Sequence, residues 1–194
     1  QLGESDDFCL EAFLLEQIKA QPGGDSAAEV LSHELMFYDT QPAKLLGLKD
    51  EFLASARLDN LLSCFLACEA LCDSPVTHTS IVVCNDHEEV GSVSTSGAQG
   101  PLLRSVVDRL LGSVGAEADG FDRLISQSAM LSIDNAHGIH PNFIDRHDDK
   151  HGPLLNKGPV IKVNANQRYA SNSHSVALFK SLCMKVGVTP QLFA

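Results

Sequence analysis

Positive charge is scarce in this sequence: its 194 residues carry 14 Lys and Arg against 25 Asp and Glu, a formal net charge of -11. Such a surface has little with which to displace counterions along a phosphate backbone, which excludes nucleic acid and anionic membrane as partners. It does not exclude an acidic small substrate, because a single buried lysine can dominate a pocket locally. Also lacking is any run of about 18 uninterrupted apolar residues, so no membrane-spanning helix is readable, and no signal-peptide pattern is visible. The six cysteines follow no regular framework, which points to reduced thiols of a cytoplasmic protein rather than to disulfides. Internal repeats and low-complexity tracts are absent. The chain opens at Gln1 rather than at methionine, so a processed or cut piece is expected. What is present, 44% hydrophobic residues over this length, suffices for one domain with a core, or for one domain plus part of another.

Apolar spacing organises the chain. "DDFCLEAFLLEQIKA" has helical periodicity behind an acidic start and predicts a helix near residues 7 to 20, ended by "QPGGDS". "LLSCFLACEALC" predicts a buried helix, with Cys64, Cys68 and Cys72 recurring every fourth residue on one face. Those thiols suit either a metal or redox cluster or, more commonly, small apolar residues turned to a core. "TSIVVCN", "SAMLSID" and "PVIKVN" read as buried strands, while "GPLLRSVVDRLLGSV" and "NSHSVALFKSLCMKVG" read as helices. Strand and helix alternate from residue 53 onward, which predicts an α/β sheet with helices on both faces. The first 45 residues do not follow that alternation and are assigned to a different unit.

Carboxylates gather just past the ends of the apolar segments: Asp59 in "ARLDN", Glu88 and Glu89 in "NDHEEVGS", and Asp134 in "LSIDNAHG". Functional groups of open α/β sheets collect at the carboxyl ends of strands, so the three segments can converge although far apart in sequence. A regular strand would send Glu88 and Glu89 to opposite faces. Both serve one site only if the backbone has left the strand there, which Gly91 permits. Hard oxygen ligands for divalent metals, with one carboxylate left free to deprotonate a water, are a division of labour that such residues can support. The bland alternative is a solvated acidic loop, against which the flanking "VVC" and "VGSVS" lack polar filler.

Histidines crowd "DNAHGIHPNFIDRHDDKH". His147 and His151 have the i, i+4 spacing of a zinc-binding helix, but the glutamate after the first histidine is missing and the segment reads as a loop. His137 lies three residues after Asp134, within reach of a ligand bound there. In "NKGPVIKVNANQRYASN", strand parity directs Lys162 inward or outward, and an inward lysine needs an anion.

Together, "SARLDN", "DHEEVGS", "IDNAHGIHPN" and "KGPVIKVNANQRYASN" resemble the aspartyl aminopeptidases, a family of dinuclear zinc exopeptidases, in order over roughly residues 30 to 180. The resemblance implies a three-layer α/β/α catalytic domain, incomplete here, interrupted by a β-rich dimerisation domain. Residues 1–45 would be the C-terminal part of the dimerisation domain and 46–194 the central part of the catalytic domain. It implies two zinc ions per complete site, other divalent metals being possible. Asp59 would bridge them, Glu89 and Asp134 would each ligate one, and Glu88 would be the general base. Glu88, Asp134, His137, Lys162 and Tyr169 would contact a peptide substrate with an acidic N-terminal residue. Homo-oligomers built from dimers, and a cis peptide bond at Asp59-Asn60, are implied as well.

The family pattern places two zinc-binding histidines and a substrate-contacting histidine outside this span, and His33 lies in the wrong motif to replace one. The chain alone is therefore expected to bind zinc weakly and to be inactive. The rival readings are an inert or scaffolding fragment of such an enzyme, or another dinuclear metallohydrolase. "KGPVIKVNANQRYAS" tells against the latter.

Overall fold

The apolar repeat behind the acidic start forms α1, Leu10–Lys19, with Glu11 in its first turn and Lys19 in its last, each charge complementing the helix dipole. The computed structural model of the chain describes residues 8–148 and 150–194. The expected helix start at residue 7 thus lies outside the described residues. The chain divides into two units, Gln1–Ala54 and Ser55–Ala194.

In the first unit α1 is followed by a long irregular stretch and a hairpin of β1 (Lys44–Leu46) and β2 (Phe52–Ala54). The two strands are antiparallel, with Leu45 opposite Leu53. Gly47, at φ 103°, supplies the left-handed turn that lets the chain reverse. The boundary expected at 45/46 falls inside β1.

The second unit carries α2 (Leu58–Asp73), α3 (Leu102–Ser113), α4 (Gly120–Ser126), β3 (Val160–Lys162), α5 (Ser173–Lys185) and β4 (Gln191–Phe193). β3 and β4 are parallel, Ile161 opposite Leu192, and α5 is the crossover that a parallel pair requires. The ladder continues at both ends through Gln191 N–H to the Pro159 carbonyl and Val163 N–H to the Phe193 carbonyl, both 2.8 Å. α5 starts on a capping box, in which the Asn172 side chain accepts from Ser175 N–H and the Ser175 hydroxyl accepts from Asn172 N–H. The Gln191 side chain ties β4 to the preceding loop through Leu154 and the Gly158 carbonyl. Arg104 of α3 lies over the Phe121 ring of α4 at 3.4 Å.

Helices α2, α3 and α5 and strand β3 fall where apolar spacing predicts them. Two expected strands do not form: "TSIVVCN" and "SAMLSID" have no ladder partner among the described residues. A strand is defined by its neighbour, and the apolar run supplies only one half of the pair. α2 is a helix but not a buried one: only Ser63 is buried, while Phe65 stays 60% exposed. Val107, Ile161 and Cys183 form the buried hydrophobic core among the described residues. Their number is small because many large apolar side chains, including those of α2, meet no covering layer among the described residues. The result is an incomplete α/β fold.

Candidate active site

Asp59, Glu88 and Glu89 are each held by a departure from regular backbone. The first turn of α2 is broken: Asp59 (φ -84°, ψ 110°) and Asn60 (φ -119°, ψ 29°) leave helical geometry, behind Arg57 at φ 60°. The Asp59-Asn60 peptide bond is cis, as the resemblance implies. Glu88 and Glu89 sit in a single 3₁₀ turn, Glu88–Val90, bracketed by His87 at φ 58° and Gly91 at φ 104°. The backbone has thus left any strand direction, and the two glutamates can face one site. Ser92 N–H closes the loop on the His87 carbonyl at 2.8 Å, and the His87 ring meets the Ser94 hydroxyl at 2.6 Å.

Four segments bring these groups to one cavity of about 230 Å³, lined by Asp59, Glu88, Glu89, Asp134, His137, Lys162 and Tyr169 together with Asn135, Ala136 and Phe193. All seven residues that the resemblance assigns to the site are in that lining. Lys162 closes β3 with its side chain 20% exposed, and its ammonium donates to Asp134 Oδ2 and to the Asn135 carbonyl, both at 2.8 Å. It is therefore the inward, anion-paired case, with the Tyr169 ring 5.9 Å from Nζ.

The electrostatics follow from this crowding. Partial removal from water, then the charges of Asp134 and Glu89, raise the Asp59 carboxyl above its ordinary value, against the pull of Lys162. Burial pushes Asp134 upward too, but hydrogen bonding to and the charge of Lys162 more than offset it, and the carboxyl ends below the usual range.

The chemistry of these residues suits a divalent cation. Asp59, Glu89 and Asp134 offer hard oxygen donors, and mutually repelling carboxylates are what such a cation relieves. They fit in kind, although no group of three His, Cys, Asp or Glu stands at metal-holding spacing among the described residues. Asp134 is engaged by Lys162 instead.

The remaining histidines do not join the cavity lining. His147 and His151 lie in a loop after a 3₁₀ turn, not on a helix, and Asp149 between them lies outside the described residues. His151 Nδ1 meets Asp148 Oδ2 at 2.6 Å. His147 stands edge-on to Phe193, and its buried Nδ1 has no partner among the described residues. His140 lies against the Phe143 ring, and His33 is exposed in the first unit. On α2, Cys68 and Cys72 are exposed rather than turned to a core. Sequence reasoning missed Phe193 and Asn135. The "QLF" of β4 carries no usable signal, whereas the amide in "SIDNAHG" stands beside Asp134 and was open to notice.

Known proteins match this chain throughout. The family profile of the aminopeptidase I zinc metalloproteases (M18) covers residues 4–194. A "Probable M18 family aminopeptidase 2" of Pseudomonas paraeruginosa is 52% identical over 98% of the chain, and one of Ectopseudomonas mendocina is 50% identical over 100%. Among solved structures, the cryo-EM structure of the Ape4 and Nbr1 complex aligns with TM-score 0.74 at 40% identity, over 80% of this chain and 31% of that one. The crystal structure of yeast aminopeptidase 1 aligns with TM-score 0.70 at 26% identity, over 94% of this chain and 43% of that one. The chain spans 43% and 44% of the two bacterial relatives' own length. On a family match that runs nearly end to end, the chain belongs to the M18 aminopeptidase family of zinc metalloproteases.

Proposed function

We propose that this chain is part of a zinc aminopeptidase that removes an acidic residue from peptide N-termini. The observation that supports it is the meeting of four carboxylates and one ammonium in a single cavity. Asp59, Glu89 and Asp134 would hold the metal, with Asp59 shared between two ions. Bound there, zinc supplies Lewis-acid polarisation of the scissile carbonyl and acidifies water.

The charge balance favours two ions. Glu88, Glu89, Asp59 and Asp134 against Lys162 give the cavity lining a formal charge of -3 with His137 neutral. One divalent cation leaves it negative, and two leave it positive, which suits a substrate carboxylate. Glu88, the carboxylate not assigned to metal, accepts the proton of the attacking water and returns it to the leaving amine. Lys162 spends two of its three N–H donors on Asp134 and Asn135, so the third is left for an acidic side chain. An uncharged substrate would leave that donor without an anion, which is the basis of selectivity. Tyr169 and His137 flank the same space.

The 194-residue chain by itself is read as inactive: Asp134 is engaged by Lys162, and His137 is the one histidine in the cavity lining among the described residues, where zinc usually takes several nitrogen or sulfur ligands. Residues 1–45 are read as part of a dimerisation domain. The mApe1 of S. cerevisiae, whose solved structure is a dodecamer, supports a homo-oligomer here, and a cytoplasmic setting suits the six free thiols.

The test uses the full-length protein loaded with zinc, assayed on aspartyl, glutamyl and leucyl chromogenic amides. Glu88→Gln is expected to lower kcat by roughly 10²- to 10⁴-fold with zinc content retained. Equal cleavage of leucyl and aspartyl amides would end the acidic-residue reading, and an undiminished kcat in Glu88→Gln would end its role as base.

A further inference from the structure

Beside the cavity, Asn135 connects two carboxylate-bearing segments that are otherwise remote in sequence. Its side-chain amide nitrogen donates to the Leu58 carbonyl at 3.2 Å, and its amide oxygen accepts from the Ser63 hydroxyl at 3.0 Å. Leu58 is the residue before Asp59, at the broken first turn of α2, and Ser63 is the buried polar residue among those described, at 7% exposure. The orientation of the amide is dictated by its partners. A carbonyl can only accept, so the NH₂ end must face Leu58, and the oxygen then takes the hydroxyl proton of Ser63.

The backbone of Asn135 is equally committed. Its N–H donates to Asp134 Oδ1 at 2.8 Å, and its carbonyl accepts from Lys162 Nζ at 2.8 Å. One residue therefore grips the turn that presents Asp59 with its side chain, while its main chain orients the Asp134 carboxylate and the Lys162 ammonium. The two side-chain bonds of Asn135 tie α2 to the Asp134 loop. The helix needs such a link, because Asp59 and Asn60 depart from helical φ/ψ, and the bond that spans them, Leu61 N–H to the Arg57 carbonyl at 3.2 Å, does not by itself fix where Asp59 points.

We infer that Asn135 is a positioning residue, a clamp that sets the separation of the Asp59 and Asp134 carboxylates. The inference rests on the zinc-aminopeptidase reading, in which those two carboxylates share a metal. Groups that orient ligands from behind are worth about 10- to 100-fold in metal affinity.

The experiment measures zinc affinity by competition with a chromogenic chelator in the full-length protein, alongside kcat and KM on an aspartyl amide. Asn135→Leu, close in shape but unable to hydrogen-bond, is expected to weaken zinc binding about 10- to 100-fold. Its kcat should recover in part with added zinc, while KM at saturating zinc stays within about twofold. Ser63→Ala should weaken binding less, and the double variant should bind zinc no worse than Asn135→Leu alone, because both act through one clamp. A lowered melting temperature with zinc affinity unchanged would overturn the inference, as would fully additive losses. Should Asn135→Leu not fold, Ser63→Ala decides: zinc affinity equal to that of the unaltered protein overturns the clamp, and a loss of about twofold or more with unchanged melting supports it. If the unaltered protein neither binds zinc nor cleaves the amide, the metal-site reading fails. If it does both and the variants match it, only the clamp fails.

Discussion

Lys162 is the residue on which the electrostatics of the cavity turn. Its ammonium holds Asp134 below the ordinary carboxyl range against the upward push of burial. A carboxyl lowered on folding stabilises the fold fully above its unfolded value, about 3.9, and loses that contribution as pH falls through the lower folded value. Asp134 is partly exposed, so solvent screens much of the gain. Lys162→Met removes the ammonium and leaves burial to act. With chelator present, an NMR titration of Asp134 should then show its midpoint moved upward. In the zinc-loaded protein the same variant should lose at least about tenfold of its preference for aspartyl over leucyl amides, and an unchanged preference would remove Lys162 from substrate recognition. Much of the cavity lining was legible residue by residue. Carboxylates after apolar runs and a lysine inside one are unusual enough in position to be singled out, and family motifs ordered them. Ser63 and its contact with Asn135 were not legible, since that contact spans 72 positions and a serine is not rare in a helix.

Among the elements, β3, α5 and β4 form the part of the second unit that carries its own hydrogen-bonded logic. Lys162 ends β3 and Phe193 ends β4, so this parallel pair delivers two residues to the cavity. Gly158 precedes it at φ 98°, where an added Cβ would collide with the Thr189 carbonyl. Gly158→Ala should therefore destabilise the full-length protein by about 1–3 kcal/mol, read as a lowered melting temperature. An unaltered melting temperature would show that the loop can yield. Helical periodicity located α2, α3 and α5 because a helix satisfies its backbone from its own sequence. "TSIVVCN" and "SAMLSID" carry the apolar, β-branched character of strands yet pair with nothing described, since strand hydrogen bonds come from elsewhere in the chain. α4 and β4 escaped notice because three to seven residues hold too little periodicity to read.

For the whole molecule, uncovered apolar surface is the governing fact. Leu61, Phe65 and Leu66 of α2 and Leu31, Met36 and Phe37 of the first unit are exposed, more than solvated faces ordinarily show together. The relatives are more than twice as long as this chain. The 194-residue chain alone is therefore expected to bind a hydrophobic fluorescent dye and to unfold over a broad temperature range, whereas the full-length protein should bind little dye and melt sharply. A sharp transition and no dye binding by the short chain would contradict this.

Local chemistry and order along the chain were sufficient to establish the helices, the acidic and lysine-bearing motifs and the family to which they belong, because periodicity, residue type and motif spacing are all local properties. Which of those groups meet was decided by the tertiary structure. Turning Glu88 and Glu89 to one side took left-handed backbone at His87 and Gly91, pairing Lys162 with Asp134 took a strand laid beside a loop, and holding Asp59 near both took an amide 76 residues further along the chain. The last two are contacts between distant segments, and only a folded chain brings their partners within hydrogen-bonding distance.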